Sequence, residues 1–299
     1  LVSEATGMPL DISKTIPTPP KPPKQEQLQE LSYEFKELQN LLQEDGTASM
    51  SGNSVQFSNG MKLKLKEGGD VEVYYPSGTL SAALNLPAIQ LSGTPQPLNE
   101  DASEAIVKKY NLKNYAIPWK HTSAEIQDNK VILKYETEDA RMRWEFLPAT
   151  LHLDGRTYVG YGERVVIEEL PILLESLVLS SRVPRGKIRR LTCYTSPRGY
   201  LEGEIGPGAI ENSSTWQFFT SGQPFTYTAV ADGIMVDFMD MPIPCYAQFR
   251  AREEGDEKMS RTLRLQAGRR KAPVELPLIW HLFTPGAEQG NNDYIAVYQ

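Results

Sequence analysis

Residues 54–84 read SVQFSNGMKLKLKEGGDVEVYYPSGTLSAAL, and this stretch decides the fold. Val55 and Phe57, then Met61, Leu63 and Leu65, then Val71 and Val73 alternate with polar neighbours. A period of two is that of a strand with one face buried. Asn59-Gly60, Gly68-Gly69 and Pro76-Ser77-Gly78 separate the alternating runs and supply turn chemistry. Asn59-Gly60 predicts a two-residue hairpin, whose central positions both need positive φ. The stretch therefore predicts a β-meander.

Reading toward the C-terminus, residues 85–99 form a proline-containing loop, and NEDASEAIVKKYN (99–111) predicts a short helix capped by Asn99 or Asp101. Strand patterns dominate from there on. AEIQDNKVILKYE (124–136) predicts a hairpin turning at Asp128-Asn129, and PFTYTAVADGIMVDFM (224–239) another at Asp232-Gly233. RMRWEF, KIRRLTCYT, STWQFF, CYAQFRAR, SRTLRLQAG and VELPLIWHLF bring the expected number to roughly fourteen to sixteen short strands without helix–strand alternation, which excludes a doubly wound α/β fold. The expected fold is all-β: a large antiparallel β-sandwich or a paired β-barrel, with an N-terminal helix and one further short helix.

Reading toward the N-terminus, residues 25–46 predict a helix. Leu28, Leu31, Phe35, Leu38 and Leu42 alternate spacings of three and four and make one apolar stripe, closed by Gly46. Such a stripe docks on its own domain or pairs with another chain as a coiled coil. Residues 1–24 predict an extended arm, because TIPTPPKPPK (15–24) carries five prolines and favours polyproline II. The expected organisation is an arm (1–24), a helix (25–46) and an all-β domain (51–299) that could divide near residue 150. The first residue is leucine, which suggests a processed N-terminus from an organelle or an exported compartment.

Composition limits the functions. The net charge of −7 over 299 residues argues against a dedicated nucleic-acid binder. No apolar run approaches the ~20 residues of a transmembrane helix, so a soluble chain is expected. Cys193 and Cys245 make neither a disulfide framework nor a zinc site, although one bridge between them stays open. His121, His152 and His281 show no metal-ligand spacing, and no metal or cofactor is expected.

The stretch DGRTYVGYGERVVIEELP (154–171) is the main candidate for chemistry. In a strand Tyr158, Gly160, Gly162 and Arg164 share one face, while Val159, Tyr161, Glu163 and Val165 share the other. Glycine within a strand marks a bend or the close approach of another group. Either tyrosines pack over the bare glycines, or a ligand lies there beside Tyr158, Tyr161 and Glu163. A buried Glu163 would be the best catalytic candidate, as a general acid, unless a cation pairs with it. Trp119, Trp216 and Phe218 are further candidates to line a pocket. The acid pairs Asp237/Asp240 and Glu202/Glu204, and the basic clusters 182–190 and 264–271, read more simply as solvated surface.

LDGRTYVGYGERVVIEELPI (153–172) resembles the glycine-, tyrosine- and glutamate-containing strand of lipocalin-like proteins of the carotenoid-hydratase type. That resemblance implies two joined barrels and a long apolar ligand, with Tyr161 and Glu163 as pocket residues. RTLRLQAGRRKAPVELPLIWHLF (261–283) is similar in texture to the large β-sandwiches of carbohydrate-active enzymes and sugar mutarotases, though without a catalytic motif. Three functions follow as expectations. The first is a non-catalytic or weakly catalytic domain binding an apolar or amphipathic small molecule. The second is a structural subunit of a larger complex, with protein partners reached through residues 1–44. The third is a carbohydrate-active enzyme.

Overall fold

The computed structural model describes residues 46–90, 97–98, 103–110, 117–153, 156–184, 243 and 258–285, together with the strand backbones at 42–43, 188–195, 216–220, 224–230, 233–239 and 245–251. Twenty strands and one helix occur among them. The first seven strands are β1 (Leu42–Gln43), β2 (Ala48–Ser51), β3 (Ser54–Phe57), β4 (Lys62–Leu65), β5 (Val71–Tyr74), β6 (Leu80–Leu84) and β7 (Ala88–Gln90). Helix α1 (Ser103–Tyr110) follows, then β8 (Lys120–Gln127), β9 (Lys130–Glu136), β10 (Arg141–Leu153), β11 (Arg156–Glu169) and β12 (Leu174–Pro184). The rest are β13 (Ile188–Thr195), β14 (Trp216–Thr220), β15 (Pro224–Val230), β16 (Gly233–Met239), β17 (Cys245–Ala251), β18 (Lys258–Arg270), β19 (Val274–Glu275) and β20 (Ile279–Pro285).

The strands form two antiparallel sheets. Sheet 1 runs β13-β15-β16-β20-β11-β10-β9-β8, with β1 on β10 and β19 on β11. Sheet 2 runs β14-β17-β18-β12-β6-β5-β4-β3-β2, with β7 on β12. Among the described residues neither path closes on itself, so the paired-barrel alternative gives way to a sandwich. The reason is visible in the pairing: β8 and β2 each take a strand on one side and end their sheets there. No helix among the described residues is long and apolar enough to cross a membrane.

The core lies between the sheets. Sheet 1 contributes Leu133, Trp144, Phe146, Tyr161, Val165 and Ile279; sheet 2 contributes Val55, Leu63, Val73, Leu177, Leu263 and Leu265. Each such side chain, when fully buried, contributes about 1.5–3 kcal/mol. The period of two in 54–84 is realised residue by residue, with Val55, Phe57, Leu63, Val71 and Val73 at most 1% exposed.

Turn chemistry departs from expectation at Asn59-Gly60. Gly60 N–H donates to Phe57 O and Phe57 N–H to Met61 O, which defines a three-residue loop with Gly60 at φ 92°. The same pattern recurs with Gly69 over Lys66–Asp70 and with Gly78 over Tyr75–Thr79. This is a type I turn followed by one left-handed residue, and it needs only one glycine. Asn59 is thereby released for another task. Its Nδ2 donates to Ala149 O at 2.8 Å and to Gly160 O at 2.7 Å, tying a sheet 2 hairpin to β10 and β11 of sheet 1. The hairpin at Asp128-Asn129 is the two-residue kind expected, with φ of 50° and 63°.

Helix α1 falls where expected, within 99–111. The expected helix 25–46 lies outside the described residues except at its end, and there it is corrected. Leu42–Gln43 is a strand paired with Thr150–Leu151. The arm 1–24, the capping residues Asn99 and Asp101, Asp240 and the pair Glu202/Glu204 also lie outside the described residues.

Strand β11 is buried on both faces, and its glycines mark close approach. A Cβ on Gly160 would sit 1.8 Å from the carbonyl oxygen of His281. One on Gly162 would meet Trp280, Leu147 and Leu278 at 2.9–3.0 Å. Substituting Gly160→Ala is expected to destabilise the fold by about 3 kcal/mol or more in urea unfolding, since backbone must move to admit the methyl group. A change within ~0.5 kcal/mol, the scale of an innocuous surface substitution, would contradict the packing described.

Candidate functional site

The alternation of β11 sends Glu163 and Tyr161 into the space between the sheets, and Tyr158, Gly160 and Gly162 to the opposite face. Pairing with β20 sets Tyr161 against His281 and Glu163 against Ile279, so the imidazole and the carboxyl group are diagonal neighbours on one face. His281 Nε2 lies 2.9 Å from Glu163 Oε1. Trp144 Nε1, from β10, donates to Glu163 Oε2 at 3.2 Å. With Glu163 ionised, Nε2 of His281 carries the hydrogen of the first contact. Glu163 and His281 are each 2% exposed.

Aromatic rings surround this pair. The Tyr161 and His281 rings are 4.7 Å apart at 31°, and the Trp144 and Phe146 rings 4.9 Å apart. Sheet 2 brings polar groups to the same region. Arg261, also buried, donates from Nε to Ser181 Oγ at 3.2 Å, and Asn85 Nδ2 donates to Ser180 Oγ at 3.1 Å. Glu163, Trp144, Arg261, Asn85, Ser180 and Ser181 together line a cavity of about 10 Å³. That is room for about one water. Arg261 and Glu163 thus face the same small cavity from opposite sheets.

A carboxylate in contact with an imidazole is chemically a proton-transfer pair. Here it is enclosed. The side chains that could accept or give a proton are occupied with Trp144 and with each other, and the cavity beside them among the described residues has room for about one water.

The other expected site residues are spread over the sandwich. Tyr158, 1% exposed, is separated from Glu163 by the thickness of β11. Gly160 and Gly162 are covered by β20 and its side chains. Trp119 lies in the core ahead of β8, and its Nε1 is buried without a hydrogen-bond partner. The backbone register of β14 aligns Trp216 with Phe249 and Arg261, and Phe218 with Ala247 and Leu263, two strands from the cavity. The structure thus gathers Glu163 and Tyr161, and leaves the rest apart. Arg164, one of the cations that could have neutralised Glu163, sits on the other face and pairs with Glu275.

His152 is exposed beside Thr157, and His121 is exposed on β8. Among the described residues no three His, Cys, Asp or Glu side chains cluster in a way that could hold a metal. Cys245 is a buried thiol in β17. Asp237 stands in register with His281 on β16. The phenol of Tyr135 donates to Gly69 O at 2.7 Å, and burial pushes its ionisation well above the usual tyrosine range. Of the basic clusters, Arg264 donates to Ser176 Oγ and Arg269 pairs with Glu175.

Sequence reasoning did not connect His281, Trp144 or Arg261 with Glu163. The signal available for His281 was alternation in IWH, which sends Trp280 and His281 to opposite faces. If Glu163 and His281 act as one unit, Glu163→Ala and His281→Ala each destabilise the fold, and the double variant costs less than their sum by about 1–3 kcal/mol. Strict additivity in urea unfolding would show that the two groups do not support each other.

No protein-family model matches the sequence, and neither does any curated protein. Solved structures give distant likenesses. A Synechocystis sp. PCC 6803 protein is 11% identical, with TM-score 0.46 over 81% of this chain and 96% of its own. A galactose mutarotase-like protein from Clostridium acetobutylicum is 11% identical, with TM-score 0.41 over 81% and 98%. A putative aldose 1-epimerase from Escherichia coli K12 is 12% identical, with TM-score 0.42 over 81% and 99%. At such scores the likeness is loose, and the sandwich stands on its own strand pairing.

Proposed function

We propose that the chain is a non-catalytic β-sandwich module, a structural subunit of a larger protein assembly reached through its N-terminal residues 1–44. The observation that carries this reading is the enclosure of Glu163 and His281. The best acid–base pair of the described residues is spent on holding β11, β20 and β10 together, beside a cavity of about 10 Å³. An apolar small molecule of ordinary size needs several hundred Å³, which that space does not give. The proline-rich composition of 15–24 supports it, because a sequence that favours polyproline II suits recognition by a groove at little entropic cost.

One specific observation favours a second reading. Interconverting the anomers of a sugar needs a proton donor and a proton acceptor, and the contact of Glu163 with His281 supplies both chemistries. The two readings part cleanly on experiment. On the structural reading, deleting residues 1–24 dissociates the chain from its native assembly on a non-denaturing gel, whereas Glu163→Gln leaves it assembled. A full-length chain that migrates at its own mass under those conditions would count against the assembly. On the enzymatic reading, the chain accelerates the interconversion of α- and β-aldoses in a polarimeter and Glu163→Gln abolishes it. The structural reading expects no acceleration above buffer.

A further inference from the structure

Sheet 1 has a second buried face. Leu147 and Leu151 on β10, Tyr158 on β11, Leu278 ahead of β20, and Trp280 and Leu282 on it are at most 5% exposed. The strand registers put those on the strands on the side of sheet 1 that faces away from sheet 2, and Leu278 lies beside Gly162 on that side. None of them belongs to the core between the sheets, where Val55, Leu63, Val73, Leu177, Leu263 and Leu265 of sheet 2 and Ile106 of α1 pack. The core cluster that sheet 2 and α1 build among the described residues thus includes none of these outer-face side chains. Burial this complete needs a cover, and an uncovered apolar patch of this size is rare on a monomer.

We infer that the cover is the chain's own N-terminal stripe, Leu28, Leu31, Phe35 and Leu38, laid across the outer face of sheet 1. Three observations converge on it. Strand β1 places Leu42 in register with Leu151, so the chain reaches residues 1–41 from the edge of that very face. Leu42 is the last member of the same three-and-four stripe, so the stripe runs directly up to an outer-face position. The dimensions agree as well. As a helix Leu28 to Leu38 spans about 15 Å, and the strands β9, β10, β11 and β20 span three spacings, about 14 Å. The bare Gly162 lets Trp280, Leu147 and Leu278 close over β11 and continue the apolar layer across it.

The consequence is a division of labour within residues 1–44. The stripe seals the domain and is not available for a coiled coil with another chain, while the proline arm ahead of it is left to reach a partner. The inference does not rest on the assembly proposed above, and it can fail or stand without it.

Hydroxyl-radical footprinting of the full chain reads it directly, because the label reports side-chain exposure. In the unmodified chain Leu147, Leu151, Tyr158 and Trp280 are expected to be protected. In the Leu31→Asp, Leu38→Asp double variant their labelling rises at least fivefold, while Trp144 and Phe146 between the sheets stay protected. Unchanged protection in that variant overturns the inference. So does labelling of the outer face in the unmodified chain, or protection lost on dilution, which would make a second copy the cover. Loss of protection on Ile295→Asp, Val297→Asp instead would assign the C-terminal tail. Should the double variant label Trp144 as well, Leu38→Ala is read in its place against the same outcomes.

Discussion

The approach of β20 to β11 is the constraint on which the rest of the structure depends. The carbonyl of His281 passes where a side chain on residue 160 would have to stand. That closeness fixes the β20 register, and the register delivers His281 to Glu163 on one face and Trp280 over Gly162 on the other. One pair of strands thus sets both the polar cluster between the sheets and the apolar layer outside them. Asn59 clamps the same region from sheet 2 through the carbonyls of Ala149 and Gly160.

A carboxyl group in such a place is costly unless its oxygens are satisfied. Glu163 has a partner for each oxygen, Trp144 for one and His281 for the other, and Arg261 faces the same small cavity. Polar groups matched this closely give a sandwich one register among many similar apolar ones, because a slip of one residue would turn Glu163 to the wrong face. The cluster is therefore understandable as a device of fold specificity. Its chemistry resembles that of an acid–base site, but its enclosure does not.

Much of this was legible in the sequence. The alternation within 154–171 assigned Tyr161 and Glu163 to one face of β11 and Tyr158, Gly160 and Gly162 to the other, while the glycines left open a bend under tyrosines or a ligand, and it is β20, with Leu147, that fills the place. The β-meander, the hairpin at Asp128-Asn129 and the short helix α1 were likewise readable, because local periodicity and turn chemistry decide them. What could not be read is non-local. His281 stands 118 residues from Glu163, and nothing in a linear pattern says which strand will lie beside which. Barrel or sandwich turned on strand pairing at the sheet edges, and Asn59-Gly60 misled because three-residue and two-residue hairpins use the same residues. The end of the N-terminal stripe became strand because β10 extends beyond β9 and offers Thr150 and Leu151 an open edge.

The central claim is that β11 is sealed on the inner side, with Glu163 bonded to Trp144 and His281 of its neighbouring strands rather than open to a substrate. The exchange of the Trp144 indole hydrogen with deuterium, followed by NMR in the native chain, tests it most directly, since that hydrogen is bonded to the Glu163 carboxyl group. The account predicts exchange only as fast as global unfolding allows, slowing in step with any increase in overall stability. Rapid exchange under native conditions, independent of stability, would mean that solvent and small molecules reach Glu163, and would return the site to chemistry.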